Sequence, residues 1–377
     1  MESIKSIVMR NVVNIPGWST NRKILVFESD DWGSERVRSN GDTAALEAAG
    51  FDFTDTSFYQ YDGLETDSDI AGLLEVLSKY KDKNGNHPVF TLACNVANPD
   101  YKKIQASDYT EYHYIPSIQA CADDPLRKNV FAIHQEGIRH GLTYPVFHGR
   151  EHLNVQRWLR LLQAKDPSVT KLFEHGAANY IYGIHKQFLG ELPAAFDLEF
   201  ASDLEYQKQV IADGLHLFRQ TWGYDSKYFI MPNGPINNQL EKETSACGVE
   251  YLLGERLQKE PLGDGQYRKH LRWLGNSNRY GQRYLTRNGF LEPGVIEGNL
   301  ADNALEKGLL AVERAFRWHK PAIISSHRIN YIGYLNPNIR DKGLKTLDIF
   351  LSEVLKKWPD IEFMNSVQLG NLIAKKR

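Results

Sequence analysis

A chain of 377 residues, 42% apolar and 24% charged, can bury a full core and keep a hydrated surface. Its 45 basic and 47 acidic residues leave a formal net charge of −2 with both signs interspersed. That excludes the basic face of a sequence-independent nucleic-acid binder. The three cysteines, Cys94, Cys121 and Cys247, form no disulfide framework or zinc knuckle. No run reaches the ~18 apolar residues of a membrane span. The N-terminus lacks the continuous apolar stretch of a secretory signal, so a cytoplasmic location is expected.

Residues 1–22 read as an N-terminal extension. Short apolar runs then recur at ILVF (24–27), VFTLA (89–93), YPVF (144–147), KYFI (227–230), EYLL (250–253), AIIS (322–325) and EFMN (362–365). Each is nearly continuous rather than alternating, as expected of strands buried on both faces of a parallel sheet. Between them, 67–81, 203–220, 302–318 and 343–357 carry apolar residues at three- and four-residue intervals, the helical pattern. Alternating strands and helices predict an α/β fold with a parallel sheet or barrel. Three connections exceed what such a fold needs: 96–127 with its DYTEYHYIP stretch, 158–200, and 255–300. Long connections of this kind serve as binding walls or as mere decoration. With no repeat or linker in sight, residues 1–377 read as one decorated domain.

The residues that follow the apolar runs carry the functional signal. The first run continues into Glu28-Ser29-Asp30-Asp31, the second is followed by Asn95, the third by His148, the fourth by Asn233 and the sixth by His327. In parallel α/β folds these strand ends meet on one rim, where chemistry collects. His148 and His152, in FHGREH, are four apart and could share an ion. Asp30 and Asp31 crowd two carboxylates, unfavourable unless a cation or a proton-transfer task compensates. A capped turn would explain the pair as well. Taken together, one carboxylate and two imidazoles make a three-ligand site with room for water, the form a catalytic zinc takes. The second carboxylate is placed to take a proton from that water. His327 is a candidate proton donor, or simply a packed strand-end histidine.

The order FESDDWGS, HGREH and AIISSH resembles the polysaccharide deacetylases (carbohydrate esterase family 4), over roughly residues 22–370. The resemblance implies a distorted seven-stranded (β/α) barrel with long loop insertions. It implies Asp30 as catalytic base and His327 as catalytic acid. It implies Asp31, His148 and His152 as ligands of a divalent metal ion, most simply zinc. Asn95, Asn233, Trp32 and Arg328 are the expected substrate contacts. Two family motifs differ here. The Arg-x-Pro-Tyr turn after the fourth strand reads FIMPNG, so the arginine that orients the base is absent from its usual place. The Asp-Trp pair that orients the acid is not found. Arg328 is a candidate for the first task, and Arg287 and Glu292, within 255–300, are candidates to substitute.

The activity implied is metal-dependent removal of acetyl groups from N- or O-acetylated sugars, in a polysaccharide or its precursor, with a carbohydrate as the only expected partner. Hydrolysis of another C–N bond on the same barrel is the first alternative. A metal-free glycosidase using Asp30 and Glu292 and a catalytically weak carbohydrate-binding relative are the others.

Overall fold

The computed structural model describes residues 11, 14–51, 59–178, 192–294 and 303–375. Its main sheet is parallel throughout. The strands are β1 (Ile24–Trp32), β2 (Phe90–Cys94), β3 (Thr143–Phe147), β4 (Tyr228–Phe229), β5 (Tyr251–Leu253), β6 (Arg283–Leu285), β7 (Gly289–Phe290), β8 (Ala322–His327) and β9 (Glu362–Phe363). They lie in the order β6-β5-β4-β3-β2-β1-β8-β7, and β9 pairs with β1.

The two ends of this order are successive stretches of one segment. β6 and β7 are joined only by Thr286, Arg287 and Asn288. The first half pairs with β5, where the Gly254 amide donates to the Leu285 carbonyl at 2.7 Å. The second half pairs with β8, where the Leu291 amide donates to the Ser325 carbonyl at 2.9 Å. A single bent stave therefore crosses from one edge to the other and closes a distorted seven-stranded (β/α) barrel.

Six of the seven expected strands are staves of this barrel, and the seventh expectation is corrected. The EFMN run forms β9, which pairs only with Ile24 and Leu25 at the foot of β1. The true seventh stave, RYLTRNGF, lies inside the region 255–300 that reads as an insertion. Its polar Arg283, Thr286, Arg287 and Asn288 hide it from any search for apolar runs.

The predicted helices form as α1 (Asp67–Ser78), α2 (Leu204–Trp222), α3 (Ala304–Arg317) and α4 (Pro337–Lys357). Between staves and helices, Phe27 stacks on Phe90 with ring centroids 4.8 Å apart and meets Phe350 of α4 edge-on at 5.9 Å. α3 approaches closely because its buried face is small: Ala304, Gly308, Ala311 and Ala315 beside Val312. Among the described residues no helix is long and apolar enough to cross a membrane.

The first two long connections pack on one another. Tyr101 meets Trp158 and Phe173 edge-on at 6.0 and 5.1 Å, and Tyr109 meets Phe173 at 5.2 Å. Much of the tyrosine-rich stretch is thus spent on a second apolar core. Part of 158–200, residues 179–191, lies outside the described residues, as does 295–302 of the third connection. The rest of that third connection holds an antiparallel hairpin, Leu257–Gly263 with Gln266–Leu271.

Candidate active site

At the end of β1 the pairing with β2 slips: Ser29 faces Leu92, but Trp32 faces Cys94. One extra residue on β1 makes a bulge, and Asp31 sits in it at φ 78°. Aspartate tolerates the left-handed region better than most residues. The bulge breaks strict face alternation and re-aims the neighbouring side chains. As a result Asp30 and Asp31 point to different partners.

Asp30 lies beside His327 in the ladder between β1 and β8. Both its oxygens accept from Arg287, Oδ1 from Nη2 and Oδ2 from Nη1, each at 2.6 Å. The same guanidinium donates from Nε to Glu28 at 2.6 Å and from Nη1 to Ser325 Oγ at 3.0 Å. Glu28 in turn accepts from Ser366 Oγ at 2.6 Å. Burial alone would raise the Asp30 carboxyl, but the Arg287 charge and hydrogen bonds win and hold it below the usual carboxylate range. The side chain that grips Asp30 thus comes from the bent stave and not from the turn after the fourth strand. Arg328, the other candidate, is fully buried and bound instead to Asp62 and Glu65, each at 2.6 Å.

Asp31 gathers with His148 and His152, all three 2% exposed. Asp31 Oδ1 lies 3.4 Å from His148 Nε2 and 3.2 Å from His152 Nε2, and one donor atom from each residue fits within 4.8 Å of the others. Donors on a tetrahedral zinc, at bonds of ~2.0–2.1 Å, lie roughly 3.3 Å apart, so the spacing fits. His148 Nδ1 is held by the Ile230 carbonyl at 2.7 Å, which leaves Nε2 as the lone-pair nitrogen facing Asp31. That Nε2 is buried without a hydrogen-bond partner. Burial, with Arg36 nearby, holds His152 well below the ordinary imidazole value, so it is neutral as a ligand must be.

A buried charge network lies around the site. Arg36 bridges Asp31 at 2.9 Å and Asp62 at 2.8 Å, Arg328 joins Asp62 to Glu65, and Glu65 accepts from the Gly33 amide at 2.9 Å. Burial pushes the Asp62 carboxyl up against the pull of both arginines, whereas Asp31 is held well below its usual value by Arg36 and the histidines despite burial. Around the cluster Asp31, Asp62 and Glu65 face Arg36 and Arg328, one carboxylate more than there are arginines.

His327 Nδ1 lies 2.7 Å from Glu292 Oε1, and Asn330 Nδ2 donates to the other oxygen of Glu292. Partial burial lowers the imidazole, but the Glu292 carboxylate outweighs it and raises His327 to about 10. The ring is therefore a cation at neutral pH. Glu292 is thus the carboxylate that holds His327.

Of the expected substrate contacts, Asn233 is exposed at φ 53° in the turn after β4. Asn95 is 2% exposed and donates to the His148 carbonyl at 2.8 Å, so it braces a candidate ligand rather than standing at the rim. Trp32 is 1% exposed, its indole N–H given to Ser29 Oγ at 3.0 Å, and it offers no free face to a sugar. Arg328, as noted, is internal. Sequence reasoning missed Glu28, Arg36, Asp62 and Glu65. Glu28 was reachable, since strand alternation puts it on the face of Asp30. Nothing in the spacing of the other three signals a shared network.

No family model matches the chain, and no curated protein matches it. Among solved structures it is similar to a protein described as a polysaccharide deacetylase from Mycobacterium smegmatis, at 11% identity and TM-score 0.46, over 95% of this chain and 93% of that one. It is also similar to an allantoinase at 13% identity and TM-score 0.45, with the same coverage. A third is the carbohydrate esterase family 4 domain of a multidomain xylanase from the hindgut metagenome of Trinervitermes trinervoides, at 11% identity and TM-score 0.38, over 94% and 92%. At these scores the reading of the chain rests on its own strand order and side chains.

Proposed function

We propose that the chain is a metal-dependent hydrolase that removes acetyl groups from acetylated sugars, with Asp31, His148 and His152 holding the ion. The observation that carries this reading is the cluster of three buried ligand groups between an arginine-held aspartate and a carboxylate-held histidine. Zinc suits a set of two imidazoles and one carboxylate, and when bound it would lower the pKa of water and polarise the acyl oxygen. Asp30, fixed by the two-pronged grip of Arg287, keeps a lone pair on each oxygen to take a proton from the attacking water. The water oxygen bonds to the acyl carbon. His327, kept protonated by Glu292, then gives its proton to the departing nitrogen or oxygen as the bond from the acyl carbon to it breaks. Of the expected substrate contacts, Asn233 is the one that stays exposed. We take the whole chain as one unit. The three cysteines are unpaired, which supports a reducing cytoplasm. Hydrolysis of a C–N bond outside sugars is the second reading, favoured by the same acid–base pair, which is indifferent to what carries the nitrogen.

The test is elemental analysis with acetate release from N-acetylated oligosaccharides. About one divalent ion per chain is expected, lost in His148→Ala, His152→Ala and Asp31→Asn. Asp30→Asn should keep the ion and lose turnover by ~10²–10⁴-fold. Equal metal content in the wild type and all three ligand variants would remove these residues from the ligand set.

A further inference from the structure

Next to the Glu292–His327 pair a cavity of about 790 Å³ opens on the outer side of the bent stave. That volume suits a small-molecule ligand. Arg287 and Glu292 line it as well, so it adjoins the Arg287–Asp30 and Glu292–His327 contacts. Leu253, Phe290, Ala304 and Ala311 supply apolar wall, and Phe290 is 64% exposed.

The charges that line this cavity do not balance. Arg287 is committed to Glu28 and Asp30, and Glu292 to His327. What remains among the described residues is Arg256 and Lys307 against Glu255. Burial raises the Glu255 carboxyl against the pull of Lys259 and Arg287. Arg256 is half-buried, and among the described residues no carboxylate pairs with it or with Lys307. Burial is the one influence on the Arg256 guanidinium, and it lowers it. A partly desolvated cation with no counter-charge among the described residues is costly. It is accounted for where an anion arrives with the ligand.

We propose that this cavity receives the non-reacting part of the substrate and that this part carries a phosphate or carboxylate group recognised by Arg256 and Lys307. The inference rests on the hydrolase reading only in taking the cavity as the space beyond the bond that breaks. An anionic, partly apolar ligand would lay its apolar surface on Leu253 and Phe290 and place its charge against the two cations.

The experiment measures binding by calorimetry and acetate release in parallel, on the full metal-loaded chain. The probes are N-acetylglucosamine, N-acetylglucosamine 6-phosphate and N-acetylmuramic acid. At least one anionic sugar should bind more tightly than the neutral one, and which of the two does so identifies phosphate or carboxylate as the recognised group. Arg256→Gln and Lys307→Gln should each weaken that binding about ten- to hundredfold, the range of a charged hydrogen bond, and leave the neutral sugar unaffected. Arg256→Lys should restore part of the loss. Thermal unfolding of each variant separates a lost contact from a lost fold. Equal binding of neutral and anionic sugars, or no effect of either variant, overturns the proposal. Anion-dependent binding without acetate release would leave it standing and sink the hydrolase reading. Acetate release without any preference for charge would do the reverse.

Discussion

Arg287 grips Asp30 with a planar fork that lysine cannot copy. Arg287→Lys should therefore keep the charge, the fold and the bound metal while turnover falls by ~10²-fold or more. Arg287→Met should in addition destabilise the chain by about 3–5 kcal/mol, because Glu28 and Asp30 would be left buried and unpaired. Denaturant melts with metal analysis and acetate-release rates distinguish the two, and full turnover in the lysine variant would show that orientation of Asp30 is immaterial. Glu292 sets the proton affinity of His327. Glu292→Gln removes the carboxylate that raises it, so the alkaline limb of the kcat–pH profile should move down toward the ordinary histidine value of about 6.5. An unmoved limb would mean that another group titrates there. At this scale the sequence was legible wherever a residue announced itself by neighbours in the chain: the Asp pair, the HGREH spacing and the strand-end histidine. Arg287 and Glu292 are read with confidence only in space, because their partners Asp30 and His327 are 257 and 35 residues away.

At the scale of elements, the apolar runs gave away six staves, since burial on both faces forces continuous apolar sequence. The seventh stave escaped because Arg287 on it turns to Glu28 and Asp30 while Arg283 and Asn288 bond the Gly275 and Pro321 carbonyls, so polar residues interrupt its apolar run. Helix α4 shows how tightly the elements behind the site are fitted. A Cβ on Gly343 would fall 1.6 Å from the Asn330 carbonyl oxygen, a backbone atom that cannot swing aside. The turn it would displace, Arg328–Tyr331, carries the arginine that binds Asp62 and Glu65 and the asparagine that binds Glu292. Gly343→Ala should thus cost about 1–3 kcal/mol by overpacking. It should also lower turnover although no catalytic atom has changed. Chemical denaturation and kinetics would check both, and a variant with normal rate and reduced stability would show that the turn gives way without disturbing Glu292.

For the whole molecule, buried charge makes stability a function of metal and pH. An ion that binds only the folded state stabilises it by about 2.7 kcal/mol at a hundredfold excess over its Kd. A chelator should lower the Tm of the wild type and leave that of Asp31→Asn unchanged. In metal-free protein the signs of the pH effects follow from the shifts. Asp30 and Asp31 are held below their ordinary values, so their contribution is present above the unfolded value of about 3.9 and lost as pH falls through the lower folded values. His327 is raised, so its contribution is complete below about 6.5 and is lost as pH climbs to about 10. Glu292→Gln should flatten that alkaline decline. An unchanged slope between these two values would assign the decline elsewhere.

The bent stave also divides the labour of the molecule along its length. Every candidate metal ligand lies before residue 153, and the two groups that grip the base and the acid, Arg287 and Glu292, come from the stave that shuts the ring and the residues just beyond it. Seating of that one stave and arming of the proton-transfer pair are the same physical event. With that stave unseated Asp30 loses its Arg287 grip and His327 its Glu292 partner, so on the proposed mechanism partly assembled or locally opened forms would be chemically silent.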